Sequence, residues 1–238
     1  MLIKILFNSD AVMPELSIGW GFSCLIDDKI LFDTGEKAEL LANNLDKLGV
    51  DVSRLSDVVI SHDHWDHTGG LETILPRKSG LNVYICPGFS AGTKGMICSL
   101  NGRLHENNDF FEIHKNIFVT GEIFGEYKGI NIAEQALVIN SNKGLVIITG
   151  CAHPGIVNIV DKISRHFADR PVYAVLGGFH LMQMSQGTID NIIRKFLDLG
   201  IQKVGPTHCT GSEAFNAFKK EYRDNCYPLR VGETLGVS

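Results

Sequence analysis

Residues 61–70 read SHDHWDHTGG, which puts three histidines and two aspartates within six positions, His62 to His67. An apolar run, Val58-Val59-Ile60, precedes them, and the small pair Gly69-Gly70 follows. Packed into so small a volume, carboxylates and imidazoles lose hydration without gaining partners, and a bound cation removes that cost. His62 and His64 are two residues apart, so they converge only on extended or looped backbone; on a helix, residues facing one another are three or four apart. The strand DVVIS, residues 57–61, is predicted to end where the motif begins, placing the histidines on a loop at a sheet edge. Histidine and aspartate suit Zn²⁺, Mn²⁺ or Fe²⁺, and His62, His64, Asp66 and His67 together exceed what one metal with an open position needs. Two adjacent divalent ions, zinc first among them, are therefore expected. The remaining ligands must come from histidines in glycine-rich settings: GCAHPG (His153), GGFH (His180) and PTHCTG (His208).

Around this motif the chain alternates strand and helix signals. Hairpins are predicted at 21–35, turning at Asp27-Asp28-Lys29, and at 134–150, turning at Ser141 to Gly144. A helix follows each, at 36–48 and 155–167; then come a strand at 172–177, a helix at 188–199, a strand at 202–207 and a helix at 212–222. Two sheets packed face to face, each covered outside by helices, bury the apolar faces of both element types, so the expected class is α+β, a four-layer αβ/βα sandwich. With 238 residues and 44% hydrophobic composition, one domain over 1–238 can bury its own core. The Gly-, Asn- and Ser-rich stretch 88–116 reads as a mobile loop over the site.

A net charge of −5 offers no basic field for a phosphate backbone, which favours a small-molecule substrate over nucleic acid. Six scattered cysteines without a C-x-x-C pair point to reduced thiols, and no stretch has the length of a membrane span. A cytoplasmic protein with no membrane partner is expected; oligomeric state is not legible.

The run HDHWDH resembles the H-x-H-x-D-H signature of the metallo-β-lactamase superfamily, and the resemblance extends over nearly the whole chain. More narrowly, LFDTG, ISHDHWDHTGGL, TGEI, EQALVI, TGCAHPGIVNIV, GGFHL and HCTG resemble the branch that includes archaeal dihydropterin ribofuranosylaminobenzene phosphate synthases and many metal-dependent hydrolases. The resemblance implies an αβ/βα sandwich with one metal on His62, His64 and His153 and a second on Asp66, His67 and His208. It makes Asp33 an acid that orients a ligand from behind, and Asp66 a residue that positions the nucleophile and takes a proton. Where superfamily members carry a bridging aspartate this chain has Gly178, so either solvent alone bridges or His180 joins the metals. Gly19-Trp20-Gly21 and Phe124-Gly125-Glu126 also depart from the branch, where Glu-His-Gly and Pro-Arg are expected.

The function this implies is hydrolysis of a small ester, amide or phosphoester by metal-activated water. Alternatives are a pterin-type transferase and a diiron redox or electron-transfer protein. Trp20, Glu122, Phe124 and His180 are the candidates for touching substrate, while Phe89 and Tyr127 read more simply as caps on the core. Lys94 and Arg103 read as solvated surface charges, and His105, His114 and His166 have no supporting neighbours. Cys151 and Cys209 read as small buried apolar residues rather than nucleophiles.

Overall fold

Asp27 and Asp28 both adopt positive φ, 47° and 56°, in a turn closed by the Lys29 amide donating to the Ile26 carbonyl at 3.0 Å. That turn pairs β2 (Ser23–Ile26) with β3 (Ile30–Phe32), after β1 (Leu2–Phe7) has paired with β2 from the other side. The computed structural model describes residues 1–237. After β3 come α1 (Ala38–Lys47), β4 (Asp57–Val59), the single helical turns α2 (Trp65–Thr68) and α3 (Leu71–Ile74), β5 (Asn82–Ile85), α4 (Ala91–Ser99) and β6 (Arg103–Glu106). The second half holds β7 (Phe111–His114), β8 (Ile117–Val119), a hairpin of β9 (Ile123–Tyr127) and β10 (Ile130–Glu134), β11 (Leu137–Ser141) and β12 (Gly144–Thr149). It closes with α5 (Ile156–His166), β13 (Val172–Gly178), α6 (Gln186–Asp198), β14 (Lys203–Thr207), α7 (Ser212–Tyr222) and β15 (Thr234–Gly236).

Two large sheets result, ordered β15-β1-β2-β3-β4-β5-β6 and β14-β13-β12-β11-β8-β7, with β9-β10 as a separate hairpin. Period-two alternation sorts their side chains into layers. On β12, Val146 and Ile148 point between the sheets, where they meet Ile5, Phe32 and Val59, whereas Leu145 and Ile147 point outward against α5, α6 and α7. Leu31, Val58 and Val83 point outward from the first sheet against Leu41 and Leu45 of α1 and Ile97 of α4. Helix, sheet, sheet, helix is the expected sandwich.

The predicted helices form within two residues of their expected bounds and the hairpins within three. On α5 the buried face is Ile156, Ile159, Val160 and Ile163. The stretch 88–116 is a correction: it holds α4, β6 and β7 rather than a structureless loop over the site. Its polar residues cap and latch. The Ser90 hydroxyl accepts from the Thr93 amide at 3.2 Å to start α4, and the ammonium of Lys94 bonds Glu106 at 2.7 Å and the Pro87 carbonyl at 2.7 Å. β6 adds in parallel to β5, and β7 pairs with β8. Among the described residues no helix is long and apolar enough to cross a membrane.

Candidate metal centre

Strands β3 and β4 run parallel in one sheet and β12, β13 and β14 run parallel in the other. Their carboxyl ends lie at one end of the sandwich, and the loops leaving them carry Asp33, the 62–67 motif, Cys151 to His153, His180 and His208. β4 is an interior strand, so the motif sits at a strand end, not at a sheet edge. His62 bridges to Glu134 in antiparallel fashion and His64 is extended, while Asp66 and His67 lie in the helical turn α2. That turn needs a close approach: a Cβ on Gly69 or Gly70 would lie 2.1 Å from the Glu36 carbonyl oxygen or 2.3 Å from that of Thr34. The Gly69-Gly70 pair thus lets the loop after β3 press against the motif.

The expected ligands converge as two sets of three. In one, His62 Nε2 lies 3.0 Å from His64 Nδ1, and the ring of His153 stands 4.7 and 4.9 Å from those of His62 and His64. In the other, Asp66 Oδ2 lies 3.5 Å from His67 Nε2 and 3.2 Å from His208 Nε2. In each set the donor atoms all lie within 4.8 Å of one another, close enough for one cation to be shared among them. His208 Nε2 is buried and turned to this set, with Asp66 Oδ2 as its neighbour, and the Gly21 amide donates to its Nδ1 at 3.2 Å from behind.

Partners behind the rings fix which nitrogen faces inward. Asp33 Oδ2 accepts from His67 Nδ1 at 2.7 Å and from the Ser61 hydroxyl at 2.7 Å, and Ser61 Oγ in turn meets His62 Nδ1 at 2.9 Å. Asp33 therefore holds one histidine of each set, His67 directly and His62 through Ser61. Glu134, which the sequence reading did not assign, does the same for His153: its Oε2 accepts from His153 Nδ1 at 2.9 Å. Glu134 also accepts from the backbone amides of Cys151, Ala152 and His153 at 3.0, 2.7 and 2.8 Å. Each Nδ1 proton is thereby committed to its partner and each Nε2 is turned to the centre.

Electrostatics follow from burial. Burial pushes the His62 imidazole down and the neighbouring His67 and His153 push it further; burial and His153 likewise lower His64. Burial alone would lower His67 too, but Asp33 and Asp66 carry it up to about 10. Asp66 is held well below the usual carboxylate range: burial opposes its ionisation, and hydrogen bonds from His208 and His67 outweigh that. Glu134 is likewise lowered, against its burial, by His153 and the backbone amides. These are the anionic carboxylates and neutral imidazoles that divalent metals take, His67 excepted, whose proton a cation must displace.

The remaining candidates are spread around the rim. His180 has its ring 4.6 Å from that of His153 and 5.6 Å from Tyr127, with its buried Nδ1 unbonded, so it borders the first set. Tyr127 stands 5.4 Å from both His64 and His153 and so faces the site rather than capping the core. Trp20 packs 4.7 Å from His208, and with Met182, Phe215 and Pro206 it lines a cavity of about 370 Å³ opening beside that ligand. Phe124 is 68% exposed on β9, and Glu122 is spent accepting from the Gly88 amide at 2.7 Å, so neither is placed to grip substrate as expected. Phe89 belongs to the core. His105 bonds Asn82, His114 pairs with Asp57 and His166 stacks on Phe110, each engaged away from the two sets.

A model of the metallo-beta-lactamase superfamily matches residues 23–96. The 7,8-dihydropterin-6-methyl-4-(beta-D-ribofuranosyl)-aminobenzene-5'-phosphate synthase of Methanocaldococcus jannaschii is 32% identical over 88% of this chain and 85% of its own length. The crystal structure of a metal-dependent hydrolase of the beta-lactamase superfamily superposes with a TM-score of 0.84 at 32% identity, covering 100% of this chain and 99% of the other. The short form of human tRNase Z shares the fold, with a TM-score of 0.65 at 15% identity, covering 100% of both chains. The resemblance read from HDHWDH and its companion motifs holds: the chain belongs to the metallo-beta-lactamase superfamily.

Proposed function

We propose that this protein is a hydrolase in which His62, His64 and His153 hold one divalent cation and Asp66, His67 and His208 hold a second. Its substrate is a small ester, amide or phosphoester. The observation that carries the reading is the pair of donor sets whose inward nitrogens are fixed from behind by Asp33, Ser61 and Glu134. Bound there, two cations polarise a substrate oxygen and bring the pKa of coordinated water toward neutrality. Asp66, ionised as a ligand of the second cation, would align the nucleophile and take its proton. Trp20 and the cavity beside His208 receive the body of the substrate, and Tyr127 and His180 line the opposite side. Zinc is the favoured metal on ligand type, with manganese or iron as substitutes. The acidic net charge, −5, suits a small cytosolic substrate better than nucleic acid.

Replacing His64 or Asp66 by alanine tests this. Metal-dependent turnover of phosphodiester and carboxylic ester substrates is expected to fall below detection in each variant, and normal turnover in either purified variant contradicts the reading.

A second reading rests on the synthase that is 32% identical over 88% of the chain. Here the same site joins a pterin-methyl diphosphate to an arylamine, with the pterin ring against Trp20. Incubation with both compounds and mass spectrometry separates the two: condensation product supports the transferase, and release of diphosphate without condensation counts against it.

A further inference from the structure

The second donor set is not limited to three residues. Cys151 Sγ lies 3.4 Å from His67 Nε2, and it falls with the donor atoms of Asp66, His67 and His208 in one group whose members are all within 4.8 Å of one another. The contact matches the roughly 3.3–3.6 Å between donors sharing one tetrahedral zinc. The same sulfur also groups with His153 and His180, so it stands between the two sets rather than behind one of them.

The surrounding backbone leaves this place to sulfur. A Cβ on Gly178 would lie 2.2 Å from the Gly150 carbonyl oxygen and 2.7 Å from Cys209 Sγ, so no side chain, and certainly no carboxylate, can enter from that strand. Cys209 fills that space, and its thiol donates to the Cys151 carbonyl at 3.5 Å. Of the two cysteines beside the centre, Cys209 is engaged with the Cys151 carbonyl and the His180 side chain, and Cys151 faces the donors of the second set. The amide of Cys151 is held by Glu134, the carboxylate that also orients His153, so the sulfur is as firmly positioned as the histidine two residues on.

We infer that Cys151 is a thiolate ligand of the cation held by Asp66, His67 and His208, completing a four-donor protein site on the side that faces the first cation. This rests on the two-cation reading above. Coordination breaks the S–H bond and forms a metal–sulfur bond; the proton leaves to solvent, and no oxidant or reductant is consumed. The site differs from an all-nitrogen-and-oxygen site in one measurable respect: sulfur is bonded to the metal.

The test is reconstitution of the metal-stripped full-length protein with Co²⁺. Wild type and Cys209→Ala are expected to show an intense near-ultraviolet thiolate-to-cobalt charge-transfer band, and Cys151→Ser is expected to lose it and to bind its second cobalt at least about tenfold more weakly. Two bound cobalts without that band, or a band lost in Cys209→Ala and kept in Cys151→Ser, overturn the inference while leaving the two-cation reading in place. Failure of wild type to bind cobalt at all overturns both. X-ray absorption at the zinc edge of the unmodified wild type gives an answer that does not depend on any variant folding. One sulfur at about 2.3 Å supports the inference, and a shell of nitrogen and oxygen alone overturns it.

Discussion

Four residues around the centre, Asp33, Ala152, His180 and His208, adopt positive φ between 51° and 64° without being glycine. Such backbone costs of order 1–3 kcal/mol per residue and persists where the surroundings over-determine it. Here the surroundings are the hydrogen bonds that aim the imidazoles. Glu134 is the clearest case, and Glu134→Gln, which weakens the acceptor facing His153 Nδ1, is expected to lower metal affinity at the His62, His64 and His153 set about 10- to 100-fold, read by competition with a chelating dye. Unchanged affinity contradicts the positioning role. In the metal-free protein His67 supplies the missing positive charge. Its folded pKa, raised to about 10, lies above the ordinary value of about 6.5, so its contribution is fully present below that value and is lost as pH rises through 10. Between about pH 6.5 and 7.5, chelated wild type is expected to lose stability in urea unfolding as pH rises, with a slope through this group that grows toward about 1.4 kcal/mol per pH unit. His67→Gln is expected to lack that slope, and equal slopes contradict the assignment. At this scale the histidines and aspartates that converge were legible because two-residue spacing and strand-end glycines leave a direct mark on the sequence. Glu134 left none, since its partner is 19 positions away and its carboxylate looks like a surface charge on a strand. Cys151 reads as a small buried apolar residue because its contact with His67, 84 positions away, leaves no mark on the sequence.

Hairpins and amphipathic helices were equally legible, since turn residues and apolar spacing are local signals, as Asp27-Asp28 and the Ile156 to Ile163 face show. The stretch 88–116 was not, because the same serines, asparagines and glycines that mark loops also serve as caps and latches. Asp63 belongs to the metal motif by sequence yet acts on α4: its carboxylate accepts from the Ser90 amide at 2.6 Å and the Thr93 hydroxyl at 2.5 Å. Asp63→Ala is expected to destabilise the protein by about 1–3 kcal/mol in urea unfolding while leaving metal content at the wild-type level. Loss of a metal instead would return Asp63 to the ligand set. The motif therefore divides its labour, with His62, His64, Asp66 and His67 facing the centre and Asp63 tying the next helix to it.

Over the whole molecule the centre draws ligands from both sheets, which also meet through Gln135, whose amide donates to the carbonyls of Ile60 and Tyr84 at 2.8 and 2.9 Å. Cations held there, as proposed, would cross-link the two layers. Free metal at about 1,000 times its dissociation constant adds about 4 kcal/mol to such a fold, and for a chain of this size each kcal/mol moves the melting temperature about 2–4 °C. Chelation is therefore expected to lower Tm by roughly 8–16 °C and metal return to restore it; an unchanged Tm contradicts a cation seated between the sheets. The four-layer architecture was readable from element order because only a few layer arrangements bury these faces, whereas the donors' mutual distances needed the fold. The most direct measurement is elemental mass spectrometry of protein purified without added metal or chelator. About two divalent ions per chain are expected, falling by one in His153→Ala and by one in His208→Ala; a wild-type protein with no bound metal, or with a single ion that both substitutions remove, contradicts the dinuclear centre.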